Sequence, residues 1–139
     1  MSDYYILIGQ TPVPVEPYTP EGIAELAQWF GEGDNRRVME TTVLCMCRVS
    51  TAFLGINHNS RDGPPLLFET MAFWRGEGGE ETYRCSTWAG AERMHRRMVA
   101  RVVSPRSVLA YVGRQCAAAV EEAREDWARR WRELQGKNT

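Results

Sequence analysis

The chain has 139 residues and a mass of 15.9 kDa, the size of one ordinary domain, and a chain of this length buries roughly 68% of its unfolded surface without help from metals or disulfides. Hydrophobic residues make up 43% and charged residues 25%, which excludes a largely disordered chain; no apolar stretch is long enough to cross a bilayer, and the start Met-Ser-Asp-Tyr-Tyr lacks the basic residues of a signal peptide. The formal charge of -1 hides a division, because residues 1–85 hold 12 acidic and 6 basic groups (net -6) while residues 86–139 hold 6 acidic and 11 basic (net +5).

Residues 4–8 form a short β-prone run that Gly9 and the series Pro12, Pro14, Pro17 and Pro20 bring to an end. Proline has no amide donor for a central ladder, so residues 9–20 are expected to be an extended connector. Thr19 and Pro20 are a cap followed by a first-turn proline, and Ile23, Leu26, Ala27 and Phe30 recur at helical spacing until Gly31 and Gly33 close the helix. Residues 38–50 and 51–56 read as strands, with Val43, Cys45, Cys47 and Val49 on one parity and a bulge or short turn where the two meet. The stretch 57–65 has a turn composition.

Residues 66–74 are the clearest strand. Leu67, Glu69, Met71 and Phe73 point one way and Leu66, Phe68, Thr70, Ala72 and Trp74 the other, a pattern of two mostly apolar faces that suits a covered strand or one docked to a partner. A glycine-rich charged turn with Gly76, Gly78 and Gly79 leads into a short strand at 82–85. It lacks the Lys-Ser or Lys-Thr and the following helix of a phosphate-binding loop. Ser86 or Thr87 caps a helix reaching about Val103, with Ala91, Met94, His95, Met98, Val99 and Val102 on one arc and Arg93, Arg96, Arg97 and Arg101 opposite. Ser104 and Pro105 open a last helical stretch whose stripe includes Leu109, Val112, Cys116, Val120, Trp127, Trp131 and Leu134. Unbroken from 105 to 135 it would extend roughly 46 Å at 1.5 Å per residue, so either Gly113 marks a bend or the distal end projects.

These elements predict an α+β fold. The expected organisation is a single domain over residues 1–139, with a predominantly antiparallel sheet packed by amphipathic helices and a long C-terminal helical region, 105–135, that packs or projects.

Four groups of residues invite a chemical reading. Cys45 and Cys47 share a strand face, and with Cys85 and Cys116 they have the donor number of a tetrahedral zinc site, but zinc-knuckle spacing is absent, so buried reduced thiols are expected and no metal or cofactor is assigned. Asn57, His58 and Asn59, with Glu69 in the strand behind, form an alternative polar site in which His58 is a general base oriented by Glu69; nothing nominates a nucleophile, and the structural reading holds the loop by backbone hydrogen bonds and pairs Glu69 with an arginine. His95, on an apolar helix face, reads as a core histidine bonded to sheet or loop. Arg93, Arg97 and Arg101, together with Arg124, Arg130, Trp127 and Trp131, are protein-binding candidates, because tryptophan buries large area and arginine makes directional bonds. Nucleic acid is the weaker alternative for the arginines, since the chain lacks helix-turn-helix spacing, a zinc finger and an aromatic RNA-binding signature.

The segments Thr51-Ala52-Phe53-Leu54-Gly55, His58-Asn59, Gly63-Pro64-Pro65-Leu66-Leu67-Phe68-Glu69-Thr70-Met71, Tyr83, Ser86-Thr87-Trp88, Ala91 and His95 resemble a family of small uncharacterised proteins encoded by bacteriophages and prophages. The similarity spans about residues 4–103 and is weakest at Cys45, Cys47 and the tryptophan-bearing tail. It implies phage association and supplies no catalytic roles. The resulting expectation is a phage accessory protein in the cytoplasm of the bacterial host, binding a host or phage protein, with anti-defence inhibition as one version and no membrane involvement. A homodimer through the C-terminal helix, a small hydrolase or nuclease using His58 and Glu69, and a virion or assembly protein are the alternatives.

Overall fold

The structure is a computed structural model that describes residues 3–33, 35–77 and 79–136; the expectations for Gly78 in the charged turn and for the Leu134 side chain lie outside the described residues. The chain runs β1 (Tyr4–Ile8), β2 (Thr11–Val15), α1 (Pro20–Gly31), β3 (Arg37–Val43), β4 (Cys47–Phe53), β5 (Phe68–Trp74), β6 (Gly79–Cys85), α2 (Trp88–Val102) and α3 (Pro105–Gly136). It is an α+β fold with two antiparallel sheets, one of β1 and β2 and one in the order β3-β4-β5-β6. The chain forms two compact units, residues up to Val103 and the helical remainder.

The proline-rich segment differs from the extended connector expected of it. Gly9, at a φ of 62°, turns the chain so that residues 11–15 pair back on β1, with Pro12 opposite Leu7 and Pro14 opposite Tyr5. Two prolines on the same parity direct their missing donors to the same side of the strand. That side is the outer edge of a two-stranded sheet, where no ladder bond is lost.

Thr19 caps α1 by accepting from the Gly22 amide at 3.1 Å, with Pro20 following in the first turn. The buried side of α1 differs from the expected stripe. Gly22 and Trp29 are buried and Leu26 and Phe30 half-buried, whereas Ile23 and Ala27 are exposed. The helix is rotated because its start lies tight against the preceding turn: a Cβ on Gly22 would stand 1.9 Å from the Glu16 carbonyl oxygen.

The strand expected across residues 38–50 is broken earlier than its β-branched content suggests. A turn closes through the Met46 amide to the Val43 carbonyl at 2.9 Å, with Leu44 and Cys45 at φ values of 50° and 55°. Neither residue type favours the left-handed region, where an L side chain crowds its own carbonyl at a cost of roughly 1–2 kcal/mol. The turn separates the two cysteines: Cys45 is exposed and Cys47 is buried.

One face of the four-stranded sheet is buried beneath α2. Val49, Thr51 and Phe53 on β4 and Phe68, Thr70 and Ala72 on β5 form this face, and Ala91, His95, Met98 and Val102 are the buried side of α2. Two apolar clusters lie along it. One gathers Phe53, Phe68 and Ala91 with Tyr5, Ile6, Val15, Trp29 and Leu67; the other holds Val43, Cys47, Val49, Ala72, Met98 and Val102.

Between the clusters runs a polar layer with members on β3, β4, β5 and α2. The Oγ1 of Thr41 is 2.9 Å from His95 Nε2, the Oγ1 of Thr51 is 2.8 Å from His95 Nδ1, and Thr51 and Thr70 share a 2.6 Å hydroxyl bond. Thr51 and Thr70 are wholly buried and His95 is 2% exposed. Among the described residues no buried side-chain nitrogen or oxygen lacks a hydrogen-bond partner. The layer therefore avoids the penalty of roughly 1–3 kcal/mol for each unsatisfied buried group.

The second unit is α3. Ser104 caps it by accepting from the Ser107 amide at 3.3 Å, and the helix then continues for 32 residues without a break at Gly113, about 48 Å at 1.5 Å per residue.

Two measurements follow. Burial holds the His95 pKa below the ordinary histidine value, so the unfolded chain binds a proton near pH ~6.5 that the folded chain refuses. The associated stability is complete above that pH and is lost as pH falls toward the folded pKa. The His95 Cε1–H resonance should accordingly titrate with its midpoint below the ordinary histidine value of pH ~6.5, and His95→Gln should remove part of the acid-side decline in melting temperature; a His95 midpoint at or above that value in the folded protein would contradict the argument. At the β3–β4 turn, the double substitution Leu44→Asn, Cys45→Gly should raise the urea-unfolding free energy by about 1–2 kcal/mol, because both replacements accept left-handed backbone.

Candidate functional site

A concave site lies between α2 and β6. It is a groove of about 470 Å³. Tyr83, Arg84 and Cys85 form the strand wall, while Gly90, Arg93, Met94, Arg97, Met98 and Arg101 form the helix wall. Side chains alternate along a strand, so a wall made of three consecutive residues includes the strand's own backbone. At 100° per residue the helical contributors fall on one flank of α2, with Met94 and Met98 nearer the sheet and Arg93 and Arg97 nearer the solvent rim.

The ends of the groove fix its direction. At one end a Cβ on Gly90 would stand 3.2 Å from Cys85 Sγ. At the other, Arg101 donates to the Tyr83 hydroxyl at 2.8 Å and pairs with Glu81. Helix and strand thus lie side by side in opposite directions.

The arginines around the groove are not equivalent. Arg84 donates from Nε at 2.8 Å to Glu69 and pairs with it through a second nitrogen at 2.7 Å. Arg101 is held by Glu81 and Tyr83. Arg93 and Arg97 are exposed, and neither makes a hydrogen bond or ion pair among the described residues. Among the described residues, these two groove cations have no ion-pair partner, and Met94 and Met98 line the groove beside them. Beside them, burial pushes the Cys85 thiol up from its ordinary pKa, with a backbone hydrogen bond at Thr87 and the nearby Arg93 guanidinium acting in the opposite direction.

The other predicted residues are distributed elsewhere. Asn57 Oδ1 accepts from the amides of Asn59 at 2.9 Å and Leu66 at 3.1 Å, and Asn59 donates to the Pro64 carbonyl at 3.0 Å. Both asparagines therefore hold the loop. His58 is exposed, its backbone amide bonded to the Leu66 carbonyl at 3.1 Å. Its side chain makes no hydrogen bond to Glu69, whose carboxylate is taken by Arg84. An open depression over the loop is lined by Asp3, Asn57, Asn59, Ser60, Arg61, Asp62 and Gly63 and does not include His58. Among the described residues no group of three or more His, Cys, Asp or Glu side chains is arranged to hold a metal ion.

On α3, Trp127 and Trp131 stack in parallel with ring centroids 5.6 Å apart and an interplanar angle of 9°. They are 65% and 50% exposed. Arg124 pairs with Glu121 at 3.3 Å, Arg130 pairs with Asp126 at 2.8 Å, and Arg129 also pairs with Asp126. The predicted arginine candidates thus divide between two units: Arg93, Arg97 and Arg101 line the groove of the first, and Arg124 and Arg130 flank the tryptophans of the second.

Sequence reasoning assigned the groove its three helix arginines but not Gly90, Met94 and Met98, nor the strand wall of Tyr83, Arg84 and Cys85. The only signal of the strand residues is the alternation of the strand that contains them, and a groove wall exists only once that strand lies beside α2. No family model matches the chain, and no curated protein or solved structure matches it either.

The geometry around Cys85 makes a chemical prediction. In a Cys45→Ser, Cys116→Ser background, Arg93→Gln should raise the Cys85 pKa further and slow its alkylation by iodoacetamide at pH 8 by about twofold or more, since the thiolate is the reacting species. An unchanged pH–rate profile would place the guanidinium too far from the thiol to act on it.

Proposed function

We propose that this chain is a phage-encoded accessory protein that acts by binding a host or phage protein, inhibition of a host defence complex being one version of that role. The supporting observation is the exposed, stacked Trp127–Trp131 pair on α3, with Arg124 and Arg130 beside it. A single helix has no surface of its own on which to bury such a stripe. Tryptophan and arginine are also the residues most concentrated where partner proteins make their strongest contacts. The phage origin rests on the resemblance of residues 4–103 to small phage and prophage proteins, and the cytoplasm of the bacterial host is the compartment that goes with it. A hydrolase or nuclease gains no comparable support, because Glu69 is committed to Arg84 and is not joined to His58.

The reading is tested with the full chain as bait in host lysate, alongside a Trp127→Ala, Trp131→Ala variant, with light scattering on both. One specific partner should be retained by the native chain, and the double variant should weaken it by about 2 kcal/mol or more. A native chain that forms a dimer which the double variant loses would instead assign the stripe to self-association. Recovery of the chain in purified virions or assembly intermediates, with no soluble partner, would favour the assembly alternative.

A further inference from the structure

The β6–α2 groove combines features that together identify a ligand class. β6 has one strand neighbour, β5, and stands at the edge of its sheet. The outer edge of an antiparallel strand offers backbone amides and carbonyls at every second residue, and an extended peptide can complete that ladder. α2 runs alongside, with Arg93 and Arg97 uncommitted and Met94 and Met98 beneath them.

The spacings agree. Arg93 and Arg97 are four helical residues apart, about 6 Å along the axis at 1.5 Å per residue. Side chains on one face of a strand recur every two residues, about 6.7 Å. From Gly90 to Arg101 the helix wall extends about 16 Å, the length of roughly five extended residues. Two acidic side chains separated by one residue in an added strand would therefore meet the two guanidinium groups in turn. Adjacent acidic residues would not, because one of them would face away.

We infer that the groove binds an extended acidic peptide segment by strand addition to the outer edge of β6, with acidic side chains at alternate positions paired to Arg93 and Arg97. This deepens the protein-binding reading, on which it rests, by naming a surface and the chemistry of its partner. The peptide class is favoured over single-stranded nucleic acid by the unpaired strand edge, which matches a peptide backbone. The groove wall also lacks the succession of stacking aromatic rings that carries unpaired bases, Tyr83 being its one aromatic residue.

The test uses the full chain and fluorescent, end-blocked ten-residue peptides. One alternates glutamate with threonine; a second has the same composition with its glutamates adjacent. Fluorescence anisotropy should show the alternating peptide binding about tenfold or more tightly than its permuted form, and the double charge reversal Arg93→Glu, Arg97→Glu should weaken it by about tenfold or more. Both arginines are exposed, so a circular-dichroism melt should confirm that the variant still folds. N-methylating the peptide at alternate amides should abolish binding in one phase and spare it in the other.

Several results would overturn the inference. Equal affinity for the two peptides would reduce the site to diffuse charge, and tolerance of N-methylation in both phases would remove strand addition. Tighter binding of an oligothymidine that displaces the peptide would assign the groove to nucleic acid, and no binding up to ~1 mM peptide would leave it without this ligand. A native partner whose cross-links fall on Trp127 and Trp131 and avoid β6 would preserve the protein-binding function while removing the groove from it.

Discussion

The arrangement of the first unit depends on a buried hydrogen-bonded layer in which His95 meets Thr41 and Thr51, and Thr51 in turn meets Thr70. An imidazole and two hydroxyls with essentially no access to water are tolerated only when each polar atom has a partner. Thr41, Thr51 and Thr70 meet that condition from β3, β4 and β5. A one-residue slip of any strand would turn its threonine to the other face and leave a polar atom in the core without its match. The apolar clusters on either side supply the driving force for packing, and the polar layer selects one register.

The same contact fixes the rotation of α2 about its axis. With His95 turned to the sheet, helix geometry sets Met94 and Met98 on the flank beside β6 and Arg93 and Arg97 on the rim above them. At the far end of the helix, Arg101 is tied to Tyr83 and Glu81, which holds α2 alongside the strand. Charge then distinguishes the residues of the groove: Glu69 and Glu81 neutralise Arg84 and Arg101, and the two remaining cations face outward. The site follows from how the core is closed.

Much of the architecture was legible locally because its signals act over a few residues. Thr19 with Pro20, Ser86 or Thr87, and Ser104 with Pro105 marked helix starts, and hydrogen bonding makes Thr87 the cap of the second. The alternation along β5 separated Phe68, Thr70 and Ala72 from Glu69, Met71 and Phe73, two faces that read as almost equally apolar, and the structure buries the first set. Local reasoning failed where a remote contact overrode it. The β3–β4 turn falls on Leu44 and Cys45, which have no turn preference, because pairing on both sides forces the chain to reverse there. α1 buries Gly22 and Trp29 instead of Ile23 and Ala27, because the preceding turn admits only a glycine at its contact.

The amino-acid sequence by itself determined the three helices with their caps and most of the strands, β2 excepted, together with the apolar face of α2 with its histidine and the arginines and tryptophans available for contact. These depend on residue type and on spacing of at most a turn or a strand. Only the tertiary structure decided that Arg84 neutralises Glu69, that His58 and Glu69 form no pair, and that Arg93 and Arg97 overlook the edge of β6. Those outcomes depend on distances between segments far apart along the chain. Such distances are set when α2 closes over the sheet and the buried histidine finds its hydroxyl partners.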